Sequence, residues 1–523
     1  MHRYLIGATA MVAIATPLSA QDKTAPVTMT VRADKPGAKI SRDIFGQFAE
    51  QLGTGNYDGI WVGRDSKIPN VRGIRTDVVK ALAALKIPNV RWPGGCYADD
   101  YHWQDGVGPT REATVNAAWG NVPDSHAFGT DEFMDFLSQI NSEAYISLNV
   151  GSGTVKEAAD WIAYMTAPVT SAAGKRRAAN GHPAPYRVKF AGLGNESWDC
   201  GGAMSPDFYV SQMKLYARFV HNFNTDQKGD AAMKRVAVGP GAPNPVWTET
   251  VMQAWKKHSW AWNIEALSLH YYTVGGWPPS KPSTGFGETD YATLTAETLK
   301  LNAFLDGEAA VMDKYDPEKK VAISVDEWGL WLAPDPGTNK DFLRQQNSLR
   351  DAINGALYLN MFVRRADRIR MANIAQMVDV LQAMVLTDGP KMVLTPTYHL
   401  FKMYLPFQDA AAIPVTFDAG TYRSGSVTLP RVDAIAGRDA AGKLWLAVTN
   451  IDPNRPVTLD LALSGVTARG ATGTVLTAPR VDSVNTFAAP DAVRPVPISG
   501  RIQGGKVSVT LPAKSVAVLA IAG

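Results

Sequence analysis

Two cysteines in 523 residues are too few for a disulfide-built scaffold. The eight histidines are scattered. Neither HExxH nor a paired Cys/His spacing occurs, so neither a catalytic metal nor an organic cofactor is expected. No block of Lys or Arg stands out against a formal net charge of +3, which leaves nucleic acid and membrane surfaces without an electrostatic footprint. A membrane span is missing too. The apolar stretch at residues 5–15 falls short of the roughly 20 residues that cross a bilayer. Led by His2-Arg3 and followed by Thr16-Pro-Leu-Ser-Ala20, it reads as a signal peptide over residues 1–20, and export to a periplasm or the exterior is the expected localisation. Gly151-Ser-Gly153 faintly echoes a dinucleotide loop, but Lys156 stands where the third glycine belongs, and no nucleotide is expected.

With 46% hydrophobic and 19% charged residues, the composition is that of a soluble globular protein, and the length suits two domains. Units of apolar strand, loop and amphipathic helix repeat over residues 44–403. Strands are predicted at 44–50, 89–92, 145–150, 190–196, 236–241, 266–272, 321–327 and 374–380, with helical patterns opening near Thr76, Asp131 and Asp207. Eight such units predict an α/β fold, a (β/α)8 TIM barrel, with a doubly wound open sheet as the alternative. Residues 404–523 change to short alternating runs such as Lys443-Leu-Trp-Leu-Ala-Val-Thr-Asn450, the pattern of an antiparallel β-sandwich. Residues 21–43 include Val27-Thr-Met-Thr-Val31, one more strand for that sandwich. Of the 14 tryptophans only Trp445 lies past residue 331, so sugar-stacking aromatics belong to the barrel.

Two glutamates end predicted strands: Glu196 in Phe190-Ala-Gly-Leu-Gly-Asn-Glu196 and Glu327 in Val321-Ala-Ile-Ser-Val-Asp-Glu327. Barrel active sites sit at the C-terminal ends of the strands. A single strand-end glutamate is as often a structural ion-pair partner. Two of them suit double displacement at a sugar carbon, one as acid and then base, the other as nucleophile. Other predicted strand ends carry Glu50, Arg91, His270, Tyr272 and Gln376. Each alone is an ordinary structural polar group; together on one rim they make a socket for hydroxyl groups.

The stretches Arg91-Trp-Pro-Gly-Gly95, Tyr101-His-Trp-Gln-Asp-Gly-Val-Gly-Pro109, Gly194-Asn-Glu196 and Asp326-Glu-Trp328 closely resemble glycoside hydrolase family 51, the α-L-arabinofuranosidases of clan A. The resemblance spans residues 44–403 with strong motifs and the C-terminal region only in general character. It implies a barrel with a β-sandwich built from both chain ends. It also implies release of terminal arabinofuranose, with retained anomeric configuration, from arabinan, arabinoxylan or their oligosaccharides. Glu196 would be the acid/base, Glu327 the nucleophile, and Asn195 the partner of the sugar 2-hydroxyl. Glu50, Arg91, His270, Tyr272 and Gln376 would complete the subsite, with Trp119 on its wall. The resemblance also suggests a homo-oligomer without fixing the subunit number.

Retention needs carboxyl groups about 5–5.5 Å apart, inversion roughly 6.5–9.5 Å, and Arg91 beside Glu327 would favour its attacking, ionised form. One position departs from the family. Cys96 follows Gly95 where many members place a sugar-binding Asn, and Cys200 lies just past Glu196. In an exported chain these two are expected to form a disulfide that pins the acid/base loop; two buried thiols are the other reading. Three functional alternatives stay open at this point: a β-xylosidase, an endo-β-1,4-glucanase, and a non-catalytic carbohydrate-binding protein. The loops at 97–129 and 273–290 decide between a closed pocket and an open cleft.

Overall fold

The computed structural model describes residues 26–522; residues 1–20, read above as a signal peptide, lie outside them. Eight parallel strands close into a barrel in chain order: Gly46–Phe48, Asn89–Trp92, Glu143–Leu148, Val188–Leu193, Lys234–Ala237, Ala266–Thr273, Ala322–Leu330 and Ile369–Ile374. The eighth pairs with the first at Asn373–Gly46 and Ile374–Gln47 and completes the ring. Gly46 is required at that seam. A Cβ there would lie 2.7 Å from Asn373 Nδ2 and 2.8 Å from Ala372 O, so any larger residue would hold the seam open. Tyr145, Phe190, Val236, Ala266, Ala322 and Met371, one from each of the last six strands, fill the barrel interior as a cluster. Such barrels are packed cores rather than pores.

Each strand is followed by a helix, and several helices start where side chains can satisfy free amides. Ser205 accepts from the Phe208 amide at the start of Pro206–Phe219, and Pro206 takes the first position, where no amide is needed. The sequence pattern pointed to Asp207 as the opening residue; the serine two places earlier is the cap. The helix Leu349–Arg364 is buried along nearly its whole length. It lies between the barrel and the strands that follow, and Asn360 donates to Asp433 at 2.9 Å.

Beyond the barrel, short antiparallel strands form a ten-stranded sheet. Its alternate residues, among them Leu446, Val448, Leu459, Leu461, Val509 and Leu519, pack into a second core, the arrangement of a sandwich. Val27–Val31 belongs to it, running parallel to Val457–Leu463 and antiparallel to Val415–Phe417. The predicted strand at 374–380 is displaced: the eighth barrel strand is Ile369–Ile374. The following apolar residues turn away because Asp379 is drawn off by Arg344 at 2.8 Å and by the amide of Thr387 at 2.6 Å.

Candidate active site

Near its C-terminal end, between residues 324 and 328, the seventh strand carries one residue more than either neighbour can pair. Ser268 and His270 face Ser324 and Glu327, and on the other side Ala372 and Ile374 face Val325 and Trp328. Such a bulge re-aims side chains. It lets the successive residues Asp326 and Glu327 both meet groups of the barrel interior, which strict alternation forbids. Asp326, the deeper of the two, accepts from Tyr145 Oη and Ser268 Oγ, each at 2.5 Å. Glu327 accepts from Arg91 Nη1 at 2.6 Å and from Tyr272 Oη at 2.8 Å.

Arg91 and His270 bind the acidic groups together. Arg91 is 1% exposed and lies over the Phe48 ring at 4.7 Å. Its second nitrogen donates to Asn195 Oδ1 at 2.6 Å. Burial works against its charge, but Glu327, Asp326 and Tyr145 outweigh burial and raise its pKa further. His270 Nδ1 lies 2.8 Å from Glu196 Oε1 and 3.6 Å from Glu327 Oε2, and Nε2 lies 3.4 Å from Asp326 Oδ1. Burial alone would lower its pKa; Glu327, Asp326 and Glu196 together raise it to about 10. The surrounding carboxylates thus favour the protonated imidazole, the form in which Nδ1 donates to Glu196. Burial likewise tends to raise Asp326, yet His270, Arg91 and Ser268 bring it down to about 2.

Glu50 closes the other wall. Its Oε1 accepts from the Tyr97 amide at 3.1 Å and its Oε2 from Gln376 Nε2 at 3.2 Å, while Gln376 Oε1 accepts from the Glu50 amide at 3.1 Å. Burial first, and then the charge of Glu327, push its pKa up to about 7 against the pull of Trp119, the Tyr97 amide and Arg91. Gly94 and Gly95 make this closeness possible: a Cβ on Gly95 would lie 2.8 Å from Glu327 Oε1, and one on Gly94 2.9 Å from Glu50 Oε1. Trp119 lies 6.4 Å from Trp331, which meets Tyr272 edge-on at 5.1 Å and the exposed Trp277 at 5.3 Å. These rings form an aromatic path from solvent towards Glu327.

Glu196 lies just past the fourth strand with φ at 39°, a left-handed backbone that costs a residue other than glycine on the order of 1–3 kcal/mol. Its carbonyl accepts from the amides of Asp199 and Gly201. Cys200 is joined to Cys96 across a Cα separation of 5.5 Å. Cys96 therefore offers no thiol to a ligand; with Trp119 and Cys200 it lines a cavity of about 460 Å³. Glu196 Oε2 points to that side, 3.7 Å from Cys200 Sγ.

Glu50, Arg91, Cys96, Trp119, Asn195, Glu196, His270, Tyr272, Glu327 and Gln376 thus converge on one mouth of the barrel. Asp326, Tyr145, Ser268, Asp99 and Trp331 join this mouth without having stood out in the sequence. A signal for Ser268 was present: with His270 and Tyr272 it makes a polar row at every second position of an otherwise apolar strand. Asp326 had none, because only the bulge turns it inward beside Glu327.

A barrel with paired carboxylates at its C-terminal mouth, tied to one histidine, is the arrangement of a glycoside hydrolase of the double-carboxylate kind. The family model of the α-L-arabinofuranosidase 1 domain matches residues 81–274, and that of the α-L-arabinofuranosidase C-terminal domain matches residues 326–515. An intracellular exo-α-L-arabinofuranosidase of Bacteroides ovatus is 41% identical over 99% of both chains. The crystal structure of a family 51 arabinofuranosidase from Xanthomonas axonopodis pv. citri superimposes with a TM-score of 0.92 at 48% identity, covering 95% of this chain and 99% of that one. An α-L-arabinofuranosidase from Thermotoga maritima, solved with arabinose, gives 0.82 at 28% identity over 94% of this chain and 99% of its own. The chain belongs to glycoside hydrolase family 51, the α-L-arabinofuranosidases.

The same comparison corrects the expected localisation. The Bacteroides relative, matched along almost its entire length, is an intracellular enzyme, and export is withdrawn. A short apolar run behind a basic residue is a pattern of composition, and it does not by itself set a compartment.

Proposed function

We infer that the protein is an exo-acting α-L-arabinofuranosidase that removes terminal arabinofuranose from arabinofuranosyl saccharides by double displacement. One observation carries the reading: an oxygen of Glu196 and an oxygen of Glu327 lie within 4.8 Å of one another and of a His270 nitrogen. That is the short separation of retaining enzymes, with no room for a water between the carboxylate and the sugar. Glu327 attacks the anomeric carbon while Glu196 hands a proton to the departing oxygen, and a glycosyl ester forms. Ester formation removes a negative charge beside Arg91, which keeps Asn195 and Asp326 as partners. Glu196, now a base, takes a proton from the water that frees arabinose. Asn195, held by Arg91, is assigned here to the sugar 2-hydroxyl, and Glu50 and Gln376 to the outer hydroxyls.

The test is proton NMR of the first-formed sugar from an aryl α-L-arabinofuranoside. The α-anomer is expected first, and initial β-anomer would refute double displacement. Glu327→Ala should lose at least about 10⁴-fold in turnover while still binding arabinan oligosaccharides. A parent that turns over aryl β-D-xyloside or soluble glucan but not the arabinofuranoside would overturn the substrate.

A further inference from the structure

We propose that Asp99 is a positioning residue for the acid/base glutamate, its buried carboxylate fixing the backbone at Asn195 and, through it, the direction of Glu196. The proposal rests on the reading of Glu196 given above. Asp99 is 5% exposed and ends the single turn Cys96–Asp99. Its Oδ1 accepts from the amides of Val150 and Gly151 at 2.7 and 2.9 Å, and its Oδ2 from the amide of Asn195 at 3.0 Å. Its carbonyl accepts from Ser152 N at 3.0 Å and Oγ at 2.8 Å.

Among the described residues no salt bridge reaches it, and burial pushes its pKa up to about 7 against the pull of those three amides and of Arg91. A neutral side chain would close loops at less desolvation cost. What the carboxylate alone does is accept on both oxygens at once.

The segment from Asn195 to Cys200 is thereby held at both ends by the same turn. Asp99 grips Asn195, the Cys96–Cys200 bridge grips the far end, and Glu196 lies between them with its left-handed backbone. The residue that follows is packed back onto it: a Cβ on Gly201 would lie 1.8 Å from Asn195 O and 2.7 Å from Asp99 Oδ2. A carboxylate that must deliver a proton to one oxygen loses its effect with a displacement of about 1 Å. Loosening the Asn195 end moves Glu196 with respect to the leaving group and leaves Glu327, on another strand, in place.

Asp99→Asn makes that change with no loss of size. An amide that keeps its oxygen on Val150 and Gly151 turns its NH2 to the Asn195 amide, donor against donor. The readout is kcat/KM on two α-L-arabinofuranosides, one with dinitrophenolate as leaving group, which departs without a proton, and one with an alkyl or sugar alcohol, which needs it. The expected result is a fall roughly 10- to 100-fold larger on the second than on the first, any loss common to both coming from Asn195 at the sugar 2-hydroxyl. Added azide should restore kcat on the dinitrophenyl substrate and yield the α-arabinosyl azide. Equal losses on both substrates without azide rescue, or no loss on either, would overturn the proposal. If Asp99→Asn does not fold, Asp99→Ser, with room for a water among the amides, is expected to show the same split. Glu196→Ala is the control. If it lacks the split and the rescue, the role of Glu196 itself falls; if it has them and the Asp99 variants do not, only the present inference falls.

Discussion

Replacing Glu50 by glutamine should remove a loss of stability that the parent suffers as pH rises, while impairing the reaction. Burial and the charge of Glu327 push the Glu50 carboxyl from 4.5 to about 7. The folded chain therefore holds a proton that the unfolded chain has released between these values. Stability attributable to this group falls as pH rises from about 4.5 to 7 and stays low above. At 1.36 kcal/mol per pH unit, the full loss is about 3 kcal/mol. Unfolding entropy is about 2.1 cal/mol/K per residue, so a chain of this size shifts in Tm by roughly 3 °C for that energy. Glutamine cannot ionise, but its amide meets Gln376 Nε2, now 3.2 Å from Glu50 Oε2, donor to donor, a constant loss at every pH. The quantity to measure is accordingly the variant's Tm minus the parent's, at one scan rate, from pH 4.5 to 8.5. It should rise by about 3 °C across that range while hydrolysis of an aryl arabinofuranoside drops at each pH. A flat difference would refute the account of Glu50 as a group kept ionisable at a cost to the fold.

Two other perturbations follow from the same geometry. Arg91→Met strips Glu327 and Asn195 of a buried partner; breaking such a pair costs about 3–5 kcal/mol, so thermal unfolding should drop by several degrees, and an unchanged Tm would show the pair to be energetically idle. Cys96→Ser with Cys200→Ser opens a loop of 104 residues, for which chain entropy gives about 4.7 kcal/mol: Tm should fall in non-reducing buffer and match the parent's once the parent is reduced.

Much of this site was legible because its chemistry sits at the ends of apolar runs. Glu196, Glu327, His270 and Tyr272 each close a stretch that reads as a buried strand, and a polar residue there stands out. What the sequence concealed came from small departures from regularity. The additional residue in the seventh strand turns Asp326 inward, and no pattern of period two announces a bulge. Asp99 lies in a turn among other polar residues, Asp100 and His102, and only the packing of three separate loops around it marks it out. The eighth strand was displaced because residues 374–380 are as apolar as a strand, and the pull on Asp379 comes from residues distant in sequence. Compartment was misread for a different reason, since it is not a property of the folded chain at all.

The position of Val27–Val31 has a bearing on biogenesis. Its partners Val415–Phe417 and Val457–Leu463 emerge from the ribosome only after the whole barrel has been made. This early strand, apolar on one face, must stay unpaired throughout that interval, exposed to the hazards of a free edge. The barrel can assemble first, and the sandwich then locks beginning to end, so that a truncation near either terminus would strike the same late-forming layer.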